Sequence, residues 1–118
     1  MKSFRELRVW QAALNLVERV YELTQVFPNQ EIYGLTSQNR RAAVSVPSNI
    51  AEGHTREHLK ECLHHLSMAQ ASLSELETQL EIGARLKYLH PDALSEMRKD
   101  ISSLGKKMYA LRNALVRS

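Results

Sequence analysis

The chain has 118 residues, of which 43% are hydrophobic and 25% are charged, with only four glycines and three prolines. This composition fits a single folded domain over residues 1–118 and excludes intrinsic disorder, because enough apolar side chains are present to form a continuous core. A single cysteine, Cys62, excludes an internal disulfide and fits a reducing compartment.

The sequence lacks the pattern of a signal peptide or a membrane span. Arg5, Glu6 and Arg8 stand where a signal peptide needs its apolar region, and the sequence has no apolar run of about 18 residues that could cross a membrane. We therefore expect a cytoplasmic protein that has no membrane partner.

The net charge of +3 is unevenly distributed. From Arg85 onward, eight lysines and arginines face three acidic residues, which gives +5 there and leaves −2 for the rest of the chain. A basic C-terminal quarter can attract a polyanion such as nucleic acid, although it can equally be the solvated face of a helix.

The first predicted element is an amphipathic helix near the N-terminus. Ser3 followed by Glu6 matches a capping box that would start it, and Phe27-Pro28 would stop it. Alternating steps of three and four residues place one apolar stripe against the core. This stripe consists of Leu7, Trp10, Leu14, Val17, Tyr21 and Thr24, and Val20 and Leu23 widen it.

The second predicted helix runs from about Leu35 to Glu52, and Gly53 provides its expected C-terminal stop. Its stripe is made of small and partly polar side chains, so a neighbouring backbone can approach closely. The stripe residues are Leu35, Asn39, Ala42, Val46, Asn49 and Gly53.

Two longer helices follow. The third is predicted from about Glu57 to Leu86, with Thr55 as its cap, and the fourth begins at Pro91, a residue suited to a first helical turn. Both keep the alternating apolar spacing. The stripe residues are Leu59, Cys62, Leu66, Ala69, Leu73, Leu76, Leu80, Gly83 and Lys87 on the third helix and Leu94, Met97, Ile101, Leu104, Met108, Leu111 and Leu115 on the fourth. Short connections between long amphipathic helices predict an all-α, antiparallel up-down-up-down four-helix bundle.

Polar stripes accompany the core stripes of the second and third helices. Short amide and hydroxyl side chains dominate them, which favours a hydrogen-bond network or a subunit interface over a face that is simply solvated. The residues are Gln38, Arg41, Ser45, Asn49 and Glu52 on the second helix and Ser72, Glu75 and Gln79 on the third.

Metal and catalytic sites are weakly indicated. His54, His58, Cys62 and His65 have helical spacing, but Cys62 lies on the apolar stripe and nothing else completes a closed metal site. The acidic residues of the polar stripes have no nucleophile, metal or pocket beside them in the sequence pattern. We therefore predict no metal, no cofactor and no catalytic residue.

Nucleic-acid contacts would come from lysine and arginine, which neutralise phosphates without reading sequence. One subunit is only mildly basic, but a ring of subunits would repeat the same patch. The candidate residues are Arg40, Arg41, Arg56, Lys60, Lys106, Lys107 and Arg112.

Several motifs resemble those of the 23S rRNA intervening-sequence protein family, whose members are four-helix bundles. The run Ser45-Val46-Pro47-Ser48-Asn49-Ile50-Ala51-Glu52-Gly53 is the most specific of them. Further matches occur at Leu7–Ala12, Phe27-Pro28, Tyr33-Gly34-Leu35, Arg41–Val44, Ser72 and Glu75–Leu80, whereas the fourth helix matches only in pattern.

The resemblance implies an antiparallel bundle that assembles as a ring, commonly a homopentamer. It also implies kinship with the accessory protein of diversity-generating retroelements, a basic pentamer that binds nucleic acid and a reverse transcriptase. Our leading hypothesis is a non-enzymatic oligomeric protein that binds RNA or DNA through a repeated basic surface. The alternative is a scaffold that recruits a protein partner and has no nucleic-acid ligand.

Overall fold

A computed structural model of the protein describes residues 3–118, and this part of the chain is helical with no strand. The four main helices are α1 (Arg8–Thr24), α2 (Leu35–His54), α3 (Leu59–Arg85) and α4 (Pro91–Arg117). Short 3₁₀ turns at Phe4–Glu6 and Asn29–Glu31 precede α1 and α2. The predicted all-α four-helix fold is thus confirmed.

Cross-helix contacts give the direction of each helix. Leu35, at the start of α2, packs beside Gly83 near the end of α3, whereas Gly53, at the end of α2, packs beside Cys62 near the start of α3. The ion pair of Arg19 with Asp100 likewise joins the second half of α1 to the first half of α4. Neighbouring helices are therefore antiparallel.

A single apolar core runs along the bundle axis. In α2, α3 and α4 it is built from the stripes that the sequence predicts, including Ala42 and Val46 on α2, Leu73 and Leu76 on α3, and Met97 on α4. All five side chains are almost completely buried. The predicted registers of these three helices are therefore correct, except at the ends of the α3 stripe, where Leu59 is exposed and Lys87 lies beyond the helix.

The predicted register of α1 is wrong for Trp10, Leu14, Val17 and Tyr21, although Leu7, Val20 and Thr24 are buried as predicted. The buried residues of this helix are Val9, Ala13, Leu16, Val20 and Thr24, whereas Leu14 and Tyr21 are 37% and 40% exposed and Trp10 and Val17 are only partly buried. Two apolar stripes run side by side on α1, and the stripe that contains the small Ala13 faces the core. The second stripe is left on the surface.

Several predicted helix ends also differ from those of the structure. Ser3 accepts a hydrogen bond from the amide of Arg5 and caps the first 3₁₀ turn, not α1, which begins after Leu7. Helix α1 ends at Thr24, before Phe27-Pro28. The chain forms a 3₁₀ turn before α1, and hydrogen bonds from Gln25 to Glu22 and from Phe27 to Thr24 tighten it into a turn where the helix ends.

The observed junction of α2 and α3 differs from the predicted one because the two helices pack closely there. Gly53 does not stop α2 but lies inside it, buried against α3, and Thr55 follows α2 as its C-terminal cap. Helix α3 then begins at Leu59, not at Glu57, after His58. The glycine is therefore used for a close approach between helices.

Glu31 fastens the opposite end of the bundle. Its carboxylate accepts hydrogen bonds from the backbone amide of Leu35, at the start of α2, and from the hydroxyl of Tyr88, just after α3. Because this hydrogen bond and the negative charge of Glu31 favour the protonated phenol, the pKa of Tyr88 is raised. The Glu31 side chain thus joins the two loops at this end.

Substitution of Gly53 by alanine tests the close approach of α2 and α3. A Cβ atom there would lie 3.0 Å from Cβ of His65 and 3.2 Å from the backbone oxygen of Cys62. Because neither atom can move without its helix, we expect Gly53→Ala to lower the free energy of unfolding by about 1–2 kcal/mol in urea denaturation.

Gly105→Ala is the matched control. This glycine also lies inside a helix, but the nearest atom to a new Cβ would be Leu73 Cδ1 at 4.0 Å. Alanine should therefore stabilise the protein here, by about 0.5–1 kcal/mol, through helix propensity alone. Equal changes at the two positions would contradict the role given to Gly53.

Candidate functional site

The polar stripes of α2 and α3 meet in a hydrogen-bond network between the two helices. The Ser72 hydroxyl donates to Oγ of Ser45 at 2.9 Å. The Asn49 amide donates to both the backbone oxygen and Oγ of Ser45, each at 3.0 Å. The oxygen of Asn49 lies 3.0 Å from Nδ1 of His65, and a Glu52 carboxylate oxygen lies 3.4 Å from the same nitrogen.

This geometry assigns a proton within the network. An amide oxygen can only accept a hydrogen bond, so the contact with Asn49 requires a proton on Nδ1 of His65. The neighbouring Glu52 carboxylate is also an acceptor and favours the same tautomer. Sequence reasoning had placed His65 among weak metal ligands and missed its place in this network.

The other residues of the predicted polar stripes lie elsewhere. Gln38, Arg41 and Glu75 are exposed, outside the network. Gln79 is buried, and the α2–α3 register defined by Gly83 and Gly53 places it opposite the fully buried Asn39. These two amides thus belong to the interior of the bundle.

Two of the seven candidate nucleic-acid contacts are held by intramolecular bonds. Arg40 donates to Oγ1 of Thr24 at 2.9 Å, and its guanidinium stacks over the ring of Tyr21. Arg112 donates to the backbone oxygen of Leu63 and to Oγ of Ser67. Both guanidinium groups therefore fasten helices together and are poorly placed to bind a ligand.

The remaining five basic candidates are exposed. Within residues 3–118, Arg41, Arg56, Lys60, Lys106 and Lys107 form no ion pair and no side-chain hydrogen bond. The structure does not bring all five together. Arg41 lies on the middle of α2, and Arg56 and Lys60 line an open pocket where α3 begins.

Lys106 and Lys107 lie on α4, on the outside of the bundle. They line a shallow depression that also contains Lys99, which sequence reasoning missed, and three serines. The residues of the depression are Ser95, Arg98, Lys99, Ser102, Ser103, Lys106 and Lys107. Arg98 is already paired with Glu77 and Glu81 of α3, so the lysines supply the available positive charge.

An apolar groove between α1 and α2 lies on another side of the bundle. Its volume is about 320 Å³. The surface stripe of α1 forms one wall, and α2 forms the other. The lining residues are Phe4, Trp10, Leu14, Val17, Val44, Pro47, Ser48 and Ala51. The two parallel apolar stripes of α1 were the sequence signal that could have revealed this groove.

The groove and the basic depression face different directions. Helix α2 packs against α1 and α3, and α4 packs against the same two helices, but within the described chain no Cα atom of α2 lies within 8 Å of one of α4. They therefore occupy diagonal corners of the bundle. A partner seated on α2 would leave the outer face of α4 accessible.

The described residues offer neither a metal-binding cluster nor a membrane-spanning helix. From Ser3 to Ser118, no cluster of three or more His, Cys, Asp or Glu side chains could hold a metal ion. Cys62 is half-buried and its thiol contacts the backbone oxygen of Arg56. No described helix is long and apolar enough to span a membrane.

These features define an all-α four-helix bundle with an interhelical polar network, an apolar groove and a separate basic face. The model of the 23S rRNA-intervening sequence protein family matches residues 5–110. The chain belongs to this family.

A solved structure supports the fold. The chain is similar to a protein of unknown function from the S23 ribosomal protein family of Bacteroides thetaiotaomicron VPI-5482, with 20% sequence identity and a TM-score of 0.81. The match covers 89% of this chain and 95% of the other. No curated protein matches the chain.

Asn49→Ala tests the network between α2 and α3. The substitution removes the hydrogen bonds of Asn49 with His65 and Ser45 and leaves only the longer Glu52 contact and the Ser72 bond, so we expect a loss of about 1–3 kcal/mol in the free energy of unfolding. Gln38→Ala, on the same helix face but exposed, should change it by less than about 0.5 kcal/mol. Equal effects in chemical denaturation would show that the network is not structural.

Proposed function

We propose that the protein is a non-enzymatic, oligomeric nucleic-acid-binding protein that holds the phosphate backbone on the outer face of α4. The observation that carries the proposal is the charge of this helix. After Asp100 the sequence has no acidic residue, while Lys106, Lys107 and Arg117 follow as exposed cations. Lysines among serine hydroxyls provide the donors that typically contact phosphate oxygens.

Oligomerisation would strengthen this weak basic surface. We place the contact between identical subunits at the α1–α2 groove, because Trp10, Leu14 and Val44 leave apolar surface there that one subunit does not cover. Since α4 lies diagonally opposite α2, the outer face of α4 is not part of this groove. The family resemblance favours a homopentameric ring, in which five weak sites would act together.

A protein-interaction scaffold is the second candidate function. The same apolar groove favours it, because aromatic and aliphatic side chains at the centre of a groove are typical anchors for a partner protein. In this case the groove would hold a different protein, and no nucleic acid would be required. A partner that copurifies after nuclease treatment and in high salt would support the scaffold.

Removal of the α4 lysines tests nucleic-acid binding. We expect Lys106→Ala combined with Lys107→Ala to weaken binding of labelled RNA or DNA in fluorescence anisotropy. The slope of log K against log salt should fall by about one for each lysine that contacts a phosphate. Titrations at about 50 and 200 mM salt measure this slope.

Arg40→Ala serves as the control for charge. It also removes one positive charge, but from a guanidinium that is bonded to Thr24 and Tyr21, so it should lower stability more than binding. Nucleic-acid binding that is absent at low salt, or that is unchanged by loss of both lysines, would refute the proposal.

The assembly surface has its own test. We expect Val44→Glu to dissociate the oligomer into subunits of 13.5 kDa in light scattering, because it places an unpaired charge in the α1–α2 groove. Val116→Glu introduces the same charge at a similarly exposed valine on α4 and should leave the mass unchanged. A monomeric natural protein would contradict the assembly.

A further inference from the structure

Tyr109 is an exposed aromatic residue on the basic half of α4. Its side chain is 60% exposed, whereas five other large apolar side chains of α4 are buried in the core. Lys106 precedes it by one helical turn and Asn113 follows it by one turn, so the three side chains share one side of the helix. The ring is thus presented together with a cation and an amide.

The surroundings of Tyr109 suit a polyanion. Toward the start of α4, the next residues on this face are Lys106 and Ser102, and both belong to the depression described above. From Lys99 to Arg117 this face extends for about 27 Å, which is long enough to lie along several nucleotides.

The shape of the bundle disfavours base recognition in a duplex. Helix α3 packs along α4 from Arg98 near one end to Arg112 near the other, and α1 packs on its other side. The narrowest dimension of the molecule is 20 Å. The major groove of B-DNA is about 12 Å wide, so α4 and its flanking helices cannot enter it together.

We infer that the α4 face binds single-stranded nucleic acid, with Tyr109 stacking on an unpaired base while Lys106 and Lys99 neutralise the adjacent phosphates. This inference rests on the proposed function and specifies its ligand. An aromatic ring beside lysines is the arrangement that binds single strands, because every base offers a face for stacking and every linkage offers a negative charge. In a duplex the bases are already stacked inside, and Tyr109 would have no partner.

Paired binding titrations separate this inference from the proposed function. The probes are a fluorescein-labelled, unstructured single strand of about 20 nucleotides, long enough to span the face, and the duplex formed with its complement. We expect the natural protein to bind the single strand more tightly than the duplex. Tyr109→Ala should weaken single-strand binding about tenfold and leave duplex binding unchanged, whereas Tyr109→Phe should keep both.

Control variants make each result decisive. Tyr33→Ala removes another tyrosine, 95% exposed in the loop between α1 and α2, and should change neither titration. Lys106→Ala should weaken the binding of both probes. A duplex bound as tightly as the single strand, or a Tyr109→Ala protein with unchanged single-strand affinity, overturns the inference while the proposed function stands. Failure to bind either probe at low salt refutes the proposed function itself.

Discussion

The close contact of α2 with α3 determines how the rest of the bundle is arranged. At Gly53 the two backbones approach until a single Cβ atom would lie 3.0 Å from His65. This approach brings Ser45 and Asn49 of α2 within hydrogen-bond distance of Ser72 and His65 of α3. These four side chains thereby acquire partners between the two helices, and α1 packs on α2 while α4 packs on α3.

The network explains why residues that resemble a reactive cluster need not be one. Glu52, Asn49 and His65 lie together, as they could in an active site, but each contact has a structural use in joining α2 to α3. Cys62 lies nearby in sequence and its thiol is directed to a backbone oxygen. The arrangement satisfies polar groups at a close helix contact, where an unpaired group would be costly.

The division of the surface into two faces links the fold to the proposed function. Uncovered apolar side chains are concentrated between α1 and α2, whereas uncompensated positive charge is concentrated on the second half of α4. Because α2 and α4 occupy diagonal corners of the bundle, the groove and the outer face of α4 are separate surfaces. In the proposed assembly, repetition of this basic face would give mildly basic subunits a strongly basic joint surface.

The sequence by itself determined the four helices, the buried stripes of α2, α3 and α4, and the concentration of charge after Asp100, because helical periodicity and net charge are properties of residue order. The sequence did not decide which face of α1 is buried. Two adjacent apolar stripes have the same spacing, and only the fit of Ala13 against neighbouring helices selects between them. Nor does the sequence distinguish Arg40 and Arg112 from Lys106 as ligand contacts. Tertiary hydrogen bonds hold the two guanidinium groups against other helices, whereas Lys106 is free to contact a ligand. Packing between segments that are far apart in the chain decides which atoms meet across helices. The spacing of residues within a single helix does not contain this information.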